Sequence, residues 1–201
     1  MNTTLPEQNA PKRPSHRPVY EALDWMEVFL TALVCVVLLF TLVFRVVVVS
    51  GSSMSNTLQN GDYLVLSSLG GTPECGDIVV LQVNTYSEGK KPLIKRVIAK
   101  GGQWVDIDFA TWTVSVGDTP ETMEVIDEPY VLFHEDQWMA GYATEDQYPM
   151  QIEEGHLFVM GDNRNGSLDS RDPLIGQVDE HYVIGRAVFR LFPLQSFGTV
   201  A

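Results

Sequence analysis

The stretch VVVVSGSSMSNTLQNGDYLVL, residues 46–66, sets four serines between two apolar runs: Ser50, Ser52, Ser53 and Ser55. Such a cluster is either a polar turn or the seat of a nucleophile. A serine hydroxyl attacks an acyl carbon only with a base within hydrogen-bond reach. Three histidines follow: His134 in LFHEDQW, His156 in EEGHLF and His181 in DEHYV. All three lie beside acids in turn-like text, the ordinary setting of a surface histidine.

Lysine is the other candidate base. Its usual pKa near 10.4 keeps it protonated at neutral pH. It can accept a proton only where burial among apolar groups has lowered that value. Four lysines follow the serines. Lys90 and Lys91 fall in the polar SEGKKP, and Lys100 ends a strand-like run before Gly101-Gly102. Lys95 lies inside PLIKRVIAK, where alternation places it on one face with Leu93, Val97 and Ala99. That face is apolar but for its one amine. Two readings stand: a buried base, or an edge-strand lysine turned to water to deter aggregation.

A third constellation is GDNRNGSLDSR, residues 161–171, with two each of Asp, Asn, Arg and Ser. Asn165-Gly166 is a good turn dipeptide, so a hairpin loop is the plain account. A mere turn has little use for so many charge partners. Asp169 and Arg171 can form a buried pair that fixes the loop. Ser167 can then bond the amine of Lys95 and orient its flexible stem.

These residues need a scaffold. After residue 46 the text is short runs rich in Val, Ile, Phe, Trp and Tyr, punctuated by Gly, Pro, Asn and Asp. DYLVLSSL, GDIVVLQV, PLIKRVIAK, QWVDIDF, TWTVSVGD, HLFVMGD and YVIGRAVFRLF are the clearest. The domain at 46–201 is predicted to be mostly β, a distorted antiparallel sheet or barrel. A less regular inserted lobe is expected over about 119–151.

Ahead of it, residues 28–44 form 17 consecutive residues without charge, Pro or Gly. As a helix they reach roughly 25 Å, near the lower limit for a membrane span. The segment is apolar all round, unlike an amphipathic core helix. A cleaved signal peptide would have a shorter apolar core after a short basic start. Residues 21–45 are therefore read as an uncleaved single-pass anchor, and the Pro-rich 1–20 as a flexible tail. Lys12, Arg13 and Arg17 precede the span, and only Arg45 is basic between it and Lys90. This asymmetry places the amino terminus in the cytoplasm and the β domain on the extracytoplasmic face. A net charge of −13 argues against nucleic acid as a partner. The two cysteines, Cys35 in the span and Cys75 in the domain, found neither a disulfide framework nor a zinc site. Cys75 reads as a small buried residue.

SGSSMSNTL, KRVIAKGG and GDNRNGSLDSR, in that order after an apolar segment, resemble the type I signal peptidases of Gram-positive bacteria. The likeness extends over roughly residues 28–197. It implies a membrane-anchored endopeptidase that removes signal peptides from exported preproteins, with no cofactor and no metal. By the same resemblance Ser53 is the nucleophile and Lys95 the general base. Ser167 supports the lysine, and Asp169 and Arg171 hold the site together. The Ser53 N–H supplies one oxyanion donor; Gly51 stands where some members carry a second, hydroxyl donor. Met54, Leu58, Val49, Leu93 and Ile94 are candidates to line pockets for small side chains, though each fits a core role equally. The substrate is expected to add as a strand beside residues 93–95. Three alternatives remain: a self-cleaving repressor-type Ser/Lys peptidase, a catalytically inactive anchored β domain that binds protein partners, and a secreted substrate cleaved after Ser50 or Ser52.

Overall fold

The computed structural model describes residues 17–69, 71–83, 92–131, 139 and 147–200. They divide into a helical unit ending at Leu42 and a β unit from Val43 onward.

The first unit is one helix, α1, Arg17–Leu42. Its apolar side chains, among them Val28, Phe29, Leu33 and Val37, are exposed around the helix. Glu21, Asp24 and Glu27 interrupt its first half. Among the described residues no helix is long and apolar enough to cross a membrane. The helix also departs from the expected 21–45 at both ends. Residues 17–20 belong to it, while Phe44 and Arg45 leave it to pair with Ser67 and Leu66 in a sheet. The ladder satisfies their backbone groups as a longer helix would have done, so the helix stops where a strand partner is available.

The β unit contains twelve strands among the described residues: β1 Phe44–Val48, β2 Tyr63–Ser67, β3 Ile78–Leu81, β4 Leu93–Lys100, β5 Trp104–Asp108, β6 Thr113–Gly117, β7 Glu124–Val125, β8 Met150–Gln151, β9 His156–Met160, β10 Val178–Asp179, β11 Val183–Phe192 and β12 Gly198–Thr199. The larger sheet runs β1-β2-β11-β3-β4-β9-β10, with β12 also on β11. The smaller runs β7-β6-β5-β8. Every neighbouring pair is antiparallel. The mostly β, antiparallel class read from the sequence is the one found.

The central strands β3 and β4 carry apolar residues on both faces because the large sheet is covered twice. Val80 packs with Val49, Met54, Leu58, Leu64 and Leu66. Its neighbour Val79 packs on the other side with Val97, Leu157 and Val159. A third cluster, with Ile98, Ala99, Val105, Ile107 and Phe158, joins the large sheet to the small one. Ile98 and Ala99 are consecutive yet share it, because the β4–β9 register slips between Val97 and Ala99.

The region expected as an irregular lobe over 119–151 is in part sheet. Glu124–Val125 and Met150–Gln151 are β7 and β8, too short for alternation to show in the sequence. They close a sheet that begins earlier, at Trp104. The rest of that region, at 132–138 and 140–146, lies outside the described residues, as do the expected tail at 1–16 and His134.

Candidate active site

The serine loop, residues 49–62, leaves β1 and returns to β2. Its two ends are stitched by Val49 N–H to Asp62 C=O at 2.8 Å and Gly61 N–H to Val49 C=O at 2.9 Å. Gly51, at φ +107°, turns the chain in a conformation that disfavours any side chain, and its N–H is taken by Asn60 Oδ1 at 3.0 Å. Met54 and Leu58 anchor the loop in the core. Asn163 grips the loop from outside: its N–H donates to the Ser53 C=O and its Nδ2 to the Ser52 C=O, both at 3.0 Å. Arg190 on β11 donates to Asp62 Oδ2 at 2.9 Å and to the Thr57 C=O at 3.0 Å. The carbonyls around Ser53 are thus committed. Its own N–H has no hydrogen-bond acceptor among the described residues.

Lys95 sits on β4, paired with Val79 of β3 one residue before the β4–β9 ladder begins, and its side chain is only 2% exposed. The water-facing edge lysine is therefore excluded. Its Nζ lies 2.7 Å from Ser53 Oγ and donates to its neighbour's carbonyl, Ile94 O, at 3.0 Å. Burial lowers its pKa from 10.5 to about 8; Asp169 and Asp162 oppose that shift and Arg171 reinforces it. The amine is accordingly poised between its two protonation states near neutral pH.

The loop at 161–171 folds around one ion pair. Arg171 Nε and Nη2 donate to Asp169 Oδ1 and Oδ2, each at 2.8 Å, and both side chains are buried. Asp169 also accepts the Gly161 N–H at 2.9 Å, and Arg171 Nη1 donates to the Arg164 C=O at 3.0 Å. Burial alone would raise the Asp169 pKa. The Arg171 hydrogen bonds and charge outweigh it and hold the carboxyl below its usual range. Ser167 is brought beside this pair, where its hydroxyl helps hold the Asp169 carboxyl low, but its buried Oγ makes no bond to Lys95. The expected Ser167–Lys95 bond is therefore absent, and the Ile94 carbonyl occupies that role on the amine. A Cβ placed on Gly161 would stand 2.3 Å from Ser167 Oγ and 2.4 Å from the Ser53 C=O. Only glycine lets these two segments approach so closely.

Several residues around the pair went unread in the sequence. Arg96, next to Lys95, makes a bidentate bond to Asp162 at 3.0 and 2.9 Å and lies under the Tyr130 ring. Asp162 also accepts from Thr57 in the serine loop. Arg164, fully buried, is paired with Glu128. The available signal was the count of charges in 161–171, which exceeds what one Asp–Arg pair can use.

Of the pocket candidates, Val49, Met54 and Leu58 belong to the core, with Leu58 wholly enclosed. Leu93 and Ile94 are half-buried, on β4 just ahead of the lysine. His156 and His181 engage Glu154 and Asp179, not Ser53. Cys75 is exposed rather than buried, with Sγ 3.3 Å from Gln103 Oε1 in a loop. No group of acids, histidines or cysteines among the described residues could hold a metal.

A serine hydroxyl 2.7 Å from a buried amine of lowered pKa is an arrangement in which a lysine can serve as base to a serine. A family model described as signal peptidase, peptidase S26, matches residues 22–192, and the chain belongs to that family of serine endopeptidases. It is 31% identical over 175 residues to signal peptidase I of Bacillus amyloliquefaciens, with 85% of each chain covered. It is 33% identical over 181 residues to probable signal peptidase I-1 of Synechocystis, covering 84% of this chain and 82% of that one. Signal peptidase IB of Staphylococcus aureus is 27% identical over 190 residues, covering 88% and 93%.

Proposed function

We propose that this chain removes signal peptides from exported preproteins while anchored in the cell membrane by α1. The observation that carries the reading is the 2.7 Å contact between Ser53 Oγ and a lysine that is 2% exposed. Neutral Lys95 takes the hydroxyl proton as Oγ attacks the scissile carbonyl. The oxyanion accepts from the Ser53 N–H; one such donor typically contributes about 10²–10³ in rate. Protonated Lys95 then delivers its proton to the departing amine and the acyl-enzyme forms. Water deprotonated by the same amine releases the signal peptide. The reaction requires no metal or cofactor.

Between Arg96 and Met160 the strands β4 and β9 pair, but residues 93–95 lie beyond that ladder. This leaves a backbone edge on which a substrate strand can add next to the base. Leu93 and Ile94 are the proposed walls for small side chains, with Val49, Met54 and Leu58 setting the floor from the core. Asp169 and Arg171 act as struts for the lysine's surroundings, and Ser167 supports it by packing.

Membrane attachment is supported by the exposed apolar surface of α1 and by three basic residues at its amino-terminal side, which orient the β unit outward. The β unit adds exposed Val46, Val48, Tyr63 and Phe192 at adjoining positions of β1, β2 and β11, suited to lipid contact. Eight residues from Arg45 to Ser53 span at most about 28 Å, so nucleophile and bilayer-held substrate share one surface.

The test is co-expression with a reporter preprotein and sequencing of the mature amino terminus. Wild type should release the product, and Lys95→Ala and Ser53→Ala should leave the precursor intact. Equal processing by all three would end this reading and favour the inactive binding domain.

A further inference from the structure

Three catalytic segments meet a fourth that carries no role so far. Glu128, Pro129 and Tyr130 follow β7 in the smaller sheet's half of the β unit. The Tyr130 ring lies 3.8 Å from the Arg96 guanidinium, on the strand that presents Lys95. Its C=O accepts from Asn56 Nδ2, three residues beyond Ser53 in the serine loop. Its Oη donates to Glu128 Oε1 at 2.9 Å. Glu128 in turn receives both terminal nitrogens of Arg164, whose Nε holds the Gly161 C=O at 3.1 Å. The Arg164 C=O is itself the acceptor for Arg171. Glu128 and Tyr130 thus contact the serine loop, through the Tyr130 C=O, and, through their side chains, the lysine strand and the loop at 161–171.

We propose that Glu128 and Tyr130 form a positioning clamp that holds these three segments in the one register where Ser53 Oγ meets Lys95 Nζ. The proposal rests on the Ser/Lys reading above. Neither residue touches the reacting atoms, so neither is catalytic. An apolar plug would fill the same space without two buried guanidinium groups, each costly unless paired. What the polar version adds is direction: a bidentate carboxylate fixes Arg164 in orientation as well as distance, and a ring over Arg96 fixes its plane. Asn56 sits at φ +115°, a conformation asparagine tolerates better than most residues, and its side chain spans the gap to Tyr130. Loosening the three segments would admit water to the Lys95 amine, which is 2% exposed where they meet.

The test measures kcat, KM and the pH profile of preprotein cleavage for Tyr130→Leu, Glu128→Gln, Asn56→Ala and Tyr130→Phe, in the full chain in detergent. Ser53→Ala and Lys95→Ala are run alongside. Misplacement of reacting groups by an ångström costs up to about 100-fold, so Tyr130→Leu and Glu128→Gln should lower kcat by about 10- to 100-fold with KM little changed. As water reaches the amine, the acid limb of kcat/KM should move to higher pH. Tyr130→Phe, which keeps the ring, should restore most of the rate. A purely structural strap would lower the amplitude in step with the unfolded fraction and leave the limb in place; that result overturns the clamp. So does a change under about threefold in Tyr130→Leu. Should Glu128→Gln not fold, Tyr130→Leu and Asn56→Ala decide by the same criteria. Full activity in Lys95→Ala overturns the Ser/Lys reading and the clamp with it. Inactive Lys95→Ala beside unaltered clamp variants overturns the clamp alone.

Discussion

Lys95 and Arg96 are neighbours on β4, each 2% exposed, and the protein treats their charges in opposite ways. Arg96 receives a bidentate carboxylate from Asp162, the Gly76 carbonyl at 2.8 Å and an aromatic face. Lys95 receives one hydroxyl and one carbonyl, and no carboxylate bonds it. A guanidinium cannot shed its proton in a protein, so its burial must be matched by a counter-charge. An ammonium can shed its proton, so withholding the counter-charge makes it a base. Burial is common to both positions; the partner decides whether the charge is held fixed or its proton is left loosely held.

Exchanging the two treatments gives the largest expected effect. Lys95→Arg keeps a cation that cannot act as base, and Lys95→Ala removes the group; each should lower kcat by roughly 10⁴-fold or more. In wild type, kcat/KM should climb with pH and level off above about 8, as the amine loses its proton. A flat profile between pH 6 and 9 would be incompatible with Lys95 as the base.

Removing the counter-charge on the other side tests the strut. Asp162→Asn leaves Arg96 buried without a carboxylate and should cost about 3–5 kcal/mol of stability, read as a lower denaturation midpoint. Asp169→Asn should behave alike, because Arg171 depends on it in the same way. Lys95→Met makes the opposite prediction. The lysine pKa is about 8 folded and 10.5 as the ordinary value, so between them the unfolded chain binds the extra proton. Stability therefore rises with pH across that interval, and below it the full penalty applies. Lys95→Met should gain roughly 3 kcal/mol at pH 7, a gain that fades to nothing above about pH 10.5. A methionine variant less stable than wild type at pH 7 would show that the amine is not under burial stress.

A smaller effect is expected where the two halves of the site touch without charge. Gly161→Ala would set a methyl group against Ser167 and the Ser53 carbonyl, too close for either to stay in place. Overpacking of this kind costs about 1–3 kcal/mol. The rate should fall further than the stability, since the displaced carbonyl belongs to the nucleophile; equal losses would place Gly161 outside the catalytic geometry.

The contrast between Lys95 and Arg96 was only half legible in the sequence. The resemblance to the signal peptidases singled out Ser53 among the clustered serines, and alternation put Lys95 on an apolar face, because period is a local property. The β class followed for the same reason. The partner of Arg96 was not legible, since Asp162 arrives from 66 residues away through the β4–β9 pairing. Glu128 and Tyr130 were hidden further, in a segment whose strands are two residues long. Apolar pattern also failed to separate wall from core. Leu58 and Ile94 look alike in the sequence, yet one is enclosed and the other half-buried, because only Ile94 lies where β4 outruns β9.

Ser167 offers the finest probe of that contrast. Its buried hydroxyl stands beside the Asp169 carboxyl, which it helps hold low, and makes no bond to Lys95. Deleting the hydroxyl gives up only that one weak contact and removes its desolvation penalty, so Ser167→Ala should change stability by about 1 kcal/mol at most. If Ser167 supports the lysine only by packing, cleavage should change by less than about tenfold and the acid limb should keep its position near 8. A fall comparable to that of Lys95→Ala, without loss of stability, would mean that the hydroxyl turns onto the amine once substrate is bound. Lys95 would then be a residue given its partner late, whereas Arg96 holds its own from the folded state onward.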